Sequence, residues 1–285
     1  MAKALMFGLK TVEPVRSNAL KDLCTLHKQT VRQLVKYKCL LRDFIAVIFP
    51  ELDKVLKHSR MGKSVLNLLL KYPRPQDIMA ASDAELRQAL LENVKTVNSY
   101  QLRSLEKITQ LAQTSVGVKD YPVTAFQQTI KALLFYLAQV HDIKKGLKTY
   151  LKMTPYCKLL DEFGYDTVGL ATILGEIGTI RRFPDHKHFV SYCGLSVTEN
   201  TSGTSINKTR RLSKRGNSTL RQHFYIMVLP HIKHKTKYAE FFHRLRDSGK
   251  HPKKCMVATA RKLAIKTYYD FKNCLPSSQE QESAA

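Results

Sequence analysis

The chain of 285 residues carries 47 lysines and arginines against 23 aspartates and glutamates, a formal net charge of +24. Its 44% hydrophobic content is that of a folded protein and excludes wholesale disorder. It contains no apolar run of about eighteen residues, which excludes a transmembrane helix as the organising element. Charge of this size opposes compaction unless a polyanion neutralises it, so DNA, RNA or an anionic membrane surface are the candidate partners, with nucleic acid first.

MAKALMFGLK has too short an apolar core for a secretory signal, and residues 1–16 show no period. From Ser17 the pattern is helical. Leu20, Leu23, Val31, Leu34, Leu41, Ile45 and Ile48 recur at helical spacing, and Pro50 ends the run. KYPRPQD reads as a turn. Ser82-Asp83-Ala84-Glu85 is a capping box, and it opens a helical run expected to reach Ala112. Pro122 suits a helix start. Behind it, Phe126, Ile130, Leu133, Leu134, Leu137, Val140, Leu147 and Leu151 suit either a coiled-coil arm or an ordinary bundle core.

Near residue 153 the texture changes to glycine-bearing loops between basic clusters. The expected division is an irregular segment 1–16, a helical or coiled-coil region 17–152, a C-terminal domain 153–273, and a polar tail 274–285. The stretch LLDEFGYDTVGLATILGEIGTIRRF reads as a helix-hairpin-helix. Val168, Ala171, Ile173 and Leu174 form its buried face, and Gly169 and Gly175 permit close helix approach. Turn amides of such a unit can hold a DNA phosphate. Asp166 stands where a second hairpin glycine would, which weakens direct DNA contact and leaves a purely structural hairpin equally open.

NTSGTSINKTRRLSKRGNSTLRQ, from Asn200, holds six cations and no acid. Arg210, Arg211, Lys214, Arg215 and Arg221 supply bidentate and point charges for phosphate. Asn217 or Ser218 can cap the helix that follows, with Leu220, Phe224, Ile226 and Val228 along it, so its first amides add to a phosphate seat. Residues 251–272 read as an amphipathic helix with a core face of Met256, Ala260, Leu263, Ala264, Tyr268 and Phe271. The six cysteines lack zinc-ligand spacing and read as small hydrophobes in a reducing compartment. No metal site is expected from the chain.

The order EIGTIRRF, HFVSYCGL, TSGTS, RRLSKRGNSTLRQ and FFHRLRDSGKHPKKCMVATARKLAIKTYY resembles the C-terminal domain of the insertion-sequence 110 family of transposases, the DEDD group related to pilin-gene invertases. The likeness runs from about residue 155 to 272. It implies a mainly α fold, with a helical scaffold followed by a helix-hairpin-helix-containing transposase domain that bears a short irregular or β-hairpin loop. It implies DNA transposition through a phosphoserine intermediate, with Ser202 in the nucleophile position and Gly203 giving the loop its flexibility. Thr204 departs from the family's second glycine.

Members also carry a RuvC-like domain with four metal-binding acids. MAKALMFGLKTVEP lacks its strand-borne aspartate, so the chain is expected to be the remainder or half of a longer enzyme, with Mg²⁺ entering only through that acidic domain. Double-stranded DNA is the expected partner, together with a structured guide RNA in some members. A second copy or partner transposase subunit is expected along residues 123–151, without membrane association and in the nucleoid-associated cytoplasm. A non-catalytic nucleic-acid-binding remnant, or a regulator of an intact transposase, is the alternative reading.

Overall fold

A computed structural model describes residues 12–53, 62–92, 99–162, 165–196, 215–234 and 236–275. Among the described residues the fold is α-helical without strands. The chain forms two compact units. One is Leu26–Ile143, and the other joins the described residues up to Thr25 with those from Lys144 onward.

The first unit holds most of α1 (Val12–Ile48), then α2 (Lys63–Lys71), α3 (Pro75–Ala80), α4 (Asp83–Leu91), α5 (Ser99–Gln113) and the larger part of α6 (Thr124–Lys152). Its core collects the apolar stripes of these helices: Leu41, Ile45 and Ile48 from α1, Leu66 and Leu69 from α2, Leu86 and Leu90 from α4, and Ile108 from α5. Phe126, Ile130 and Leu133 of α6 are buried in the same cluster, so these positions of the 123–151 face are already covered within the chain. Burying each such side chain contributes about 1.5–3 kcal/mol.

Local signals set the ends of these helices. α1 stops before Pro50, whose ring cannot continue the hydrogen-bond ladder. Glu51 then accepts from the Ser115 hydroxyl at 2.8 Å and from the Val116 amide at 3.0 Å, which draws the segment after α5 against the end of α1. Gly117 is needed there, because a Cβ would fall 2.0 Å from the Ile48 carbonyl oxygen. The capping box at Ser82 forms as expected. The Glu85 carboxylate accepts from the Ser82 amide at 2.9 Å, and the Ser82 hydroxyl accepts from the Glu85 amide.

Two expectations are corrected in this unit. KYPRPQD is not wholly a turn, since Pro75 opens α3 and Asp77 accepts from the Arg74 amide at 3.0 Å to cap it. The run from Ser82 to Ala112 is not one helix, since α4 ends at Leu91 and Glu92 leaves helical geometry.

The second unit contains a 3₁₀ turn (Pro155–Cys157), α7 (Lys158–Glu162), α8 (Thr167–Ile177), a second 3₁₀ turn (Ile180–Arg182), α9 (His186–Tyr192), α10 (Ser218–Lys233), α11 (Lys237–Asp247) and α12 (Pro252–Asn273). α12 is its axis and packs against α9, α10 and α11. Met256, Ala260, Leu263, Ala264, Tyr268 and Phe271 are buried along it, as the sequence predicts. Aromatic rings fill the space around it. Tyr156 lies over Phe271 with centroids 5.0 Å apart, and Phe183 meets Phe189 at 5.3 Å.

The two helices of the predicted hairpin, α7 and α8, are present, and Gly164 lies outside the described residues. Asp166, read as a misplaced hairpin residue, is the N-cap of α8 and accepts from the Gly169 amide at 3.0 Å. Gly175 lets α8 approach the first helix, since a Cβ there would sit 2.9 Å from the Lys21 amide nitrogen. On α10, Ile226 is exposed rather than buried. The buried stripe is Leu220, Phe224 and Val228, four residues apart.

Candidate nucleic-acid interface

The basic serine-bearing segment is framed by two glycines with left-handed backbones, Gly194 at φ +69° and Gly216 at φ +98°. Their backbones touch. A Cβ on Gly216 would lie 2.8 Å from the Cα of Gly194, and one on Gly194 would lie 2.9 Å from the Arg215 carbonyl oxygen. Both positions therefore need glycine for conformation and for space. The Asn217 amide also donates to the Tyr192 carbonyl at 2.7 Å. Residues 192–194 and 215–217 thus form a closed base, and the intervening chain starts and ends at one point. Ser202, Gly203, Arg210, Arg211 and Lys214 belong to that intervening chain and lie outside the described residues.

Glu176, near the end of α8, fastens this base. Its carboxylate accepts from the Asn217 side-chain amide at 2.5 Å and lies 3.7 Å from the Lys21 ammonium. Its backbone carbonyl accepts from the Tyr192 hydroxyl at 2.9 Å. Arg182 closes the other side by placing its guanidinium 5.2 Å from the Tyr192 ring centre and donating to the Ile177 carbonyl at 3.0 Å. The Lys21 ammonium partly offsets the Glu176 charge while the carboxylate orients the base.

The predicted site residues inside the described chain divide by role. Arg215 is exposed at the base. Asn217 caps α10, its side-chain oxygen accepting from the Leu220 amide at 3.0 Å. Both ends of its side chain are therefore engaged within the protein. Arg221 lies one turn into α10 against Gly194, and its Nη1 is buried without a hydrogen-bond partner among the described residues.

The histidines near this segment in sequence have other partners. The Nδ1 of His188 is 2.7 Å from the Asp185 carboxylate, and that carboxylate also accepts from the His188 amide to cap α9. These contacts, the amide first, hold the Asp185 carboxyl below the usual carboxylate range. His186 is 3.1 Å from the Tyr269 hydroxyl.

His223 faces a separate cavity of about 430 Å³ lined by Tyr165, Asp166, His231, Lys266 and Thr267 among others. Burial pushes its pKa below the ordinary histidine value, and the nearby Asp166 charge opposes that shift. Behind the cavity the Tyr165 hydroxyl donates to Asp270 at 2.8 Å, and Lys266 pairs with the same carboxylate. Among the described residues no group of three or more His, Cys, Asp or Glu side chains could hold a metal ion. No described helix is long and apolar enough to cross a membrane.

Sequence reasoning overlooked Glu176, Tyr192, Arg182 and the Gly194–Gly216 pair. The available signal was a glycine on each side of a cation-rich segment, which marks a chain closing on itself.

Comparison with known proteins gives this site a lineage. Residues 158–243 match the transposase IS116/IS110/IS902 family. Over 230 residues the chain is 23% identical to the insertion element IS110 uncharacterized 43.6 kDa protein of Streptomyces coelicolor, an alignment covering 78% of this chain and 55% of that protein. The chain thus spans about half the length of this curated relative. The family match begins at the first residue of α7, takes in Glu176, both glycines of the closed base and all of α10, and ends within α11. The part of the chain that carries the closed base is thus similar to the IS116/IS110/IS902 transposase family.

Proposed function

We propose that this chain acts in DNA transposition as a serine-dependent recombinase, with duplex DNA held over the loop between Gly194 and Gly216. The observation that carries this reading is the closed base. Glu176, Asn217 and Tyr192 fix both ends of a segment that contains Ser202 and a dense set of cations. Preorganised ends restrict where a reacting hydroxyl and its phosphate can meet.

In this reading Ser202 Oγ attacks a backbone phosphorus, the P–O bond to the departing strand breaks, and the serine proton leaves with a base. Arg210, Arg211, Lys214 and Arg215 stabilise the pentavalent phosphate, while Gly203 lets the backbone approach it. Asn217 and Arg221 act from the α10 start as positioning residues. The described residues do not fit the Mg²⁺ that the family resemblance brings, and no step here is routed through it. A guide RNA would draw on the same cations, and self-association along residues 123–151 would bring two such loops to one DNA.

The test is covalent trapping. Full-length protein is mixed with duplex DNA spanning the ends of its element and run on a denaturing gel beside Ser202→Ala. The expected result is an adduct that the variant loses. An adduct retained by Ser202→Ala would displace the nucleophile. No adduct with salt-sensitive binding retained would favour a non-catalytic DNA-binding role.

A further inference from the structure

From the geometry of α11 and α12 we infer a second phosphate-binding surface, a helix-turn-helix corner that docks on duplex DNA independently of the serine loop. The inference rests on the DNA reading above, and its key cations lie beyond the family match, which ends at residue 243.

The corner is rigid. α11 ends in a Schellman turn, in which the Lys250 amide donates to the Leu245 carbonyl at 3.2 Å and the Gly249 amide to the Arg246 carbonyl at 2.9 Å. Gly249 takes the left-handed conformation at φ +79° that this turn requires. His251 then caps α12, its Nδ1 accepting from the Lys253 amide at 3.2 Å. The second helix therefore leaves the turn in a fixed direction, which is the geometric requirement for insertion into a groove.

Charge is concentrated on this corner. Residues 237–262 hold eight lysines and arginines against two acids, Glu240 and Asp247, both on α11. Lys253, Lys254, Arg261 and Lys262 are exposed on α12. The acid of α12, Asp270, is buried and bonded to Tyr165 and Lys266, so it does not offset them.

Two cations share one ring: the Lys262 ammonium sits 3.8 Å and the Arg244 guanidinium 5.4 Å from the Phe241 ring centre. That arrangement gathers like charges across both helices and makes one continuous patch, with polyanion as its natural counterpart. Lys254, Arg261 and Lys262 share one face of α12, and Lys254 and Lys262 are separated by about 12 Å along the helix. This matches the roughly 12 Å major groove of B-DNA, whereas the A-form RNA major groove is too narrow for a helix.

The experiment measures affinity for duplex DNA against salt concentration by fluorescence anisotropy. Full-length wild type is compared with Lys253→Gln/Lys254→Gln/Arg261→Gln and with Arg210→Gln/Arg211→Gln. Neutralising one phosphate-bound cation should flatten the log–log salt slope by about 0.9, so the α12 variant should lose between two and three units of slope and roughly tenfold or more in affinity. Circular dichroism should show its melting unchanged.

If the surfaces are independent, combining both sets should subtract both slopes. Wild-type slope and affinity in the folded α12 variant would overturn the inference while leaving the DNA reading intact. A loss confined to structured RNA would reassign the surface. A wild-type protein that does not bind duplex DNA would overturn the functional reading itself.

Discussion

The two compact units bury different chemistry. The Leu26–Ile143 unit has an apolar core, mainly aliphatic with Phe49 and Phe126, and among the described residues its buried polar residues, Thr30, Ser64, Asn67, Ser104 and Thr129, are small and uncharged. Two of them bond within their own helix, Thr30 to the Leu26 carbonyl and Thr129 to the Ala125 carbonyl. The other unit places Asp270 in its core beneath Tyr165, Thr267 and Lys266, and turns His223 toward a cavity. An apolar core is specified by volume and pattern, so many sequences can fill it. A polar cluster has to be satisfied group by group, and each member depends on residues far away in the chain. The unit carrying the loop and the cationic corner is the one built in the second way.

Core substitutions test that contrast most strongly. Leu68→Ala should destabilise the first unit by about 3 kcal/mol through the cavity it leaves, and Leu68→Met should restore most of it. Asp270→Ala should cost about 2–3 kcal/mol, because the Tyr165 hydroxyl loses its acceptor in a buried site and Lys266 loses its carboxylate partner. Asp270→Leu should not recover that loss. If filling the volume at 270 restores melting, then packing rather than polar satisfaction governs both cores.

Acid comes next in size. The folded-state pKa of His223 is depressed by burial, and that of His231 is depressed by burial, then by Lys266 and His234. A depressed pKa means the unfolded chain binds protons first. The stability from each neutral imidazole is complete above its usual value near 6.5 and is lost as pH falls through the lower folded value. Melting temperature should drop between pH 7.5 and 5, and His223→Gln/His231→Gln should flatten that drop. An unchanged pH profile would remove these histidines from the account.

Helix caps give the smallest and sharpest comparison. Ser82→Ala should cost about 1 kcal/mol and leave DNA binding alone. Asn217→Ala removes a cap of similar worth, yet it also releases Glu176 from the loop base, so its binding loss should exceed its melting loss. Equal effects of the two variants on binding would reduce Asn217 to an ordinary cap.

Much of the fold was legible because its signals are local. The Ser82–Glu85 box, the stop at Pro50, the Asn217 cap and the core face of α12 all depend on residues within a turn or two of one another. The failures have physical causes too. The apolar period continues across Glu92, since a spacing pattern does not register where the chain leaves the helix. Two prolines suggested a turn at KYPRPQD, although the second occupies a first-turn position that tolerates proline. Ile226 keeps roughly helical spacing but points away from the core. Asp166 was read as standing in place of a hairpin glycine, and its local partner is the Gly169 amide. Glu176 and Asp270 find their partners 41 and 105 residues away, at Asn217 and Tyr165. No window along the sequence brings those pairs together.

The contact between Gly194 and Gly216 has a consequence for inheritance. A segment whose two ends are joined at a fixed base is an interchangeable cassette. Closing a flexible loop of twice the length costs only about 0.6 kcal/mol more. The chain between these glycines can therefore lengthen, shorten or change its cations while the helices beneath it keep their packing. Changes of length or charge there would fall on a frame set by Glu176 and the two glycines.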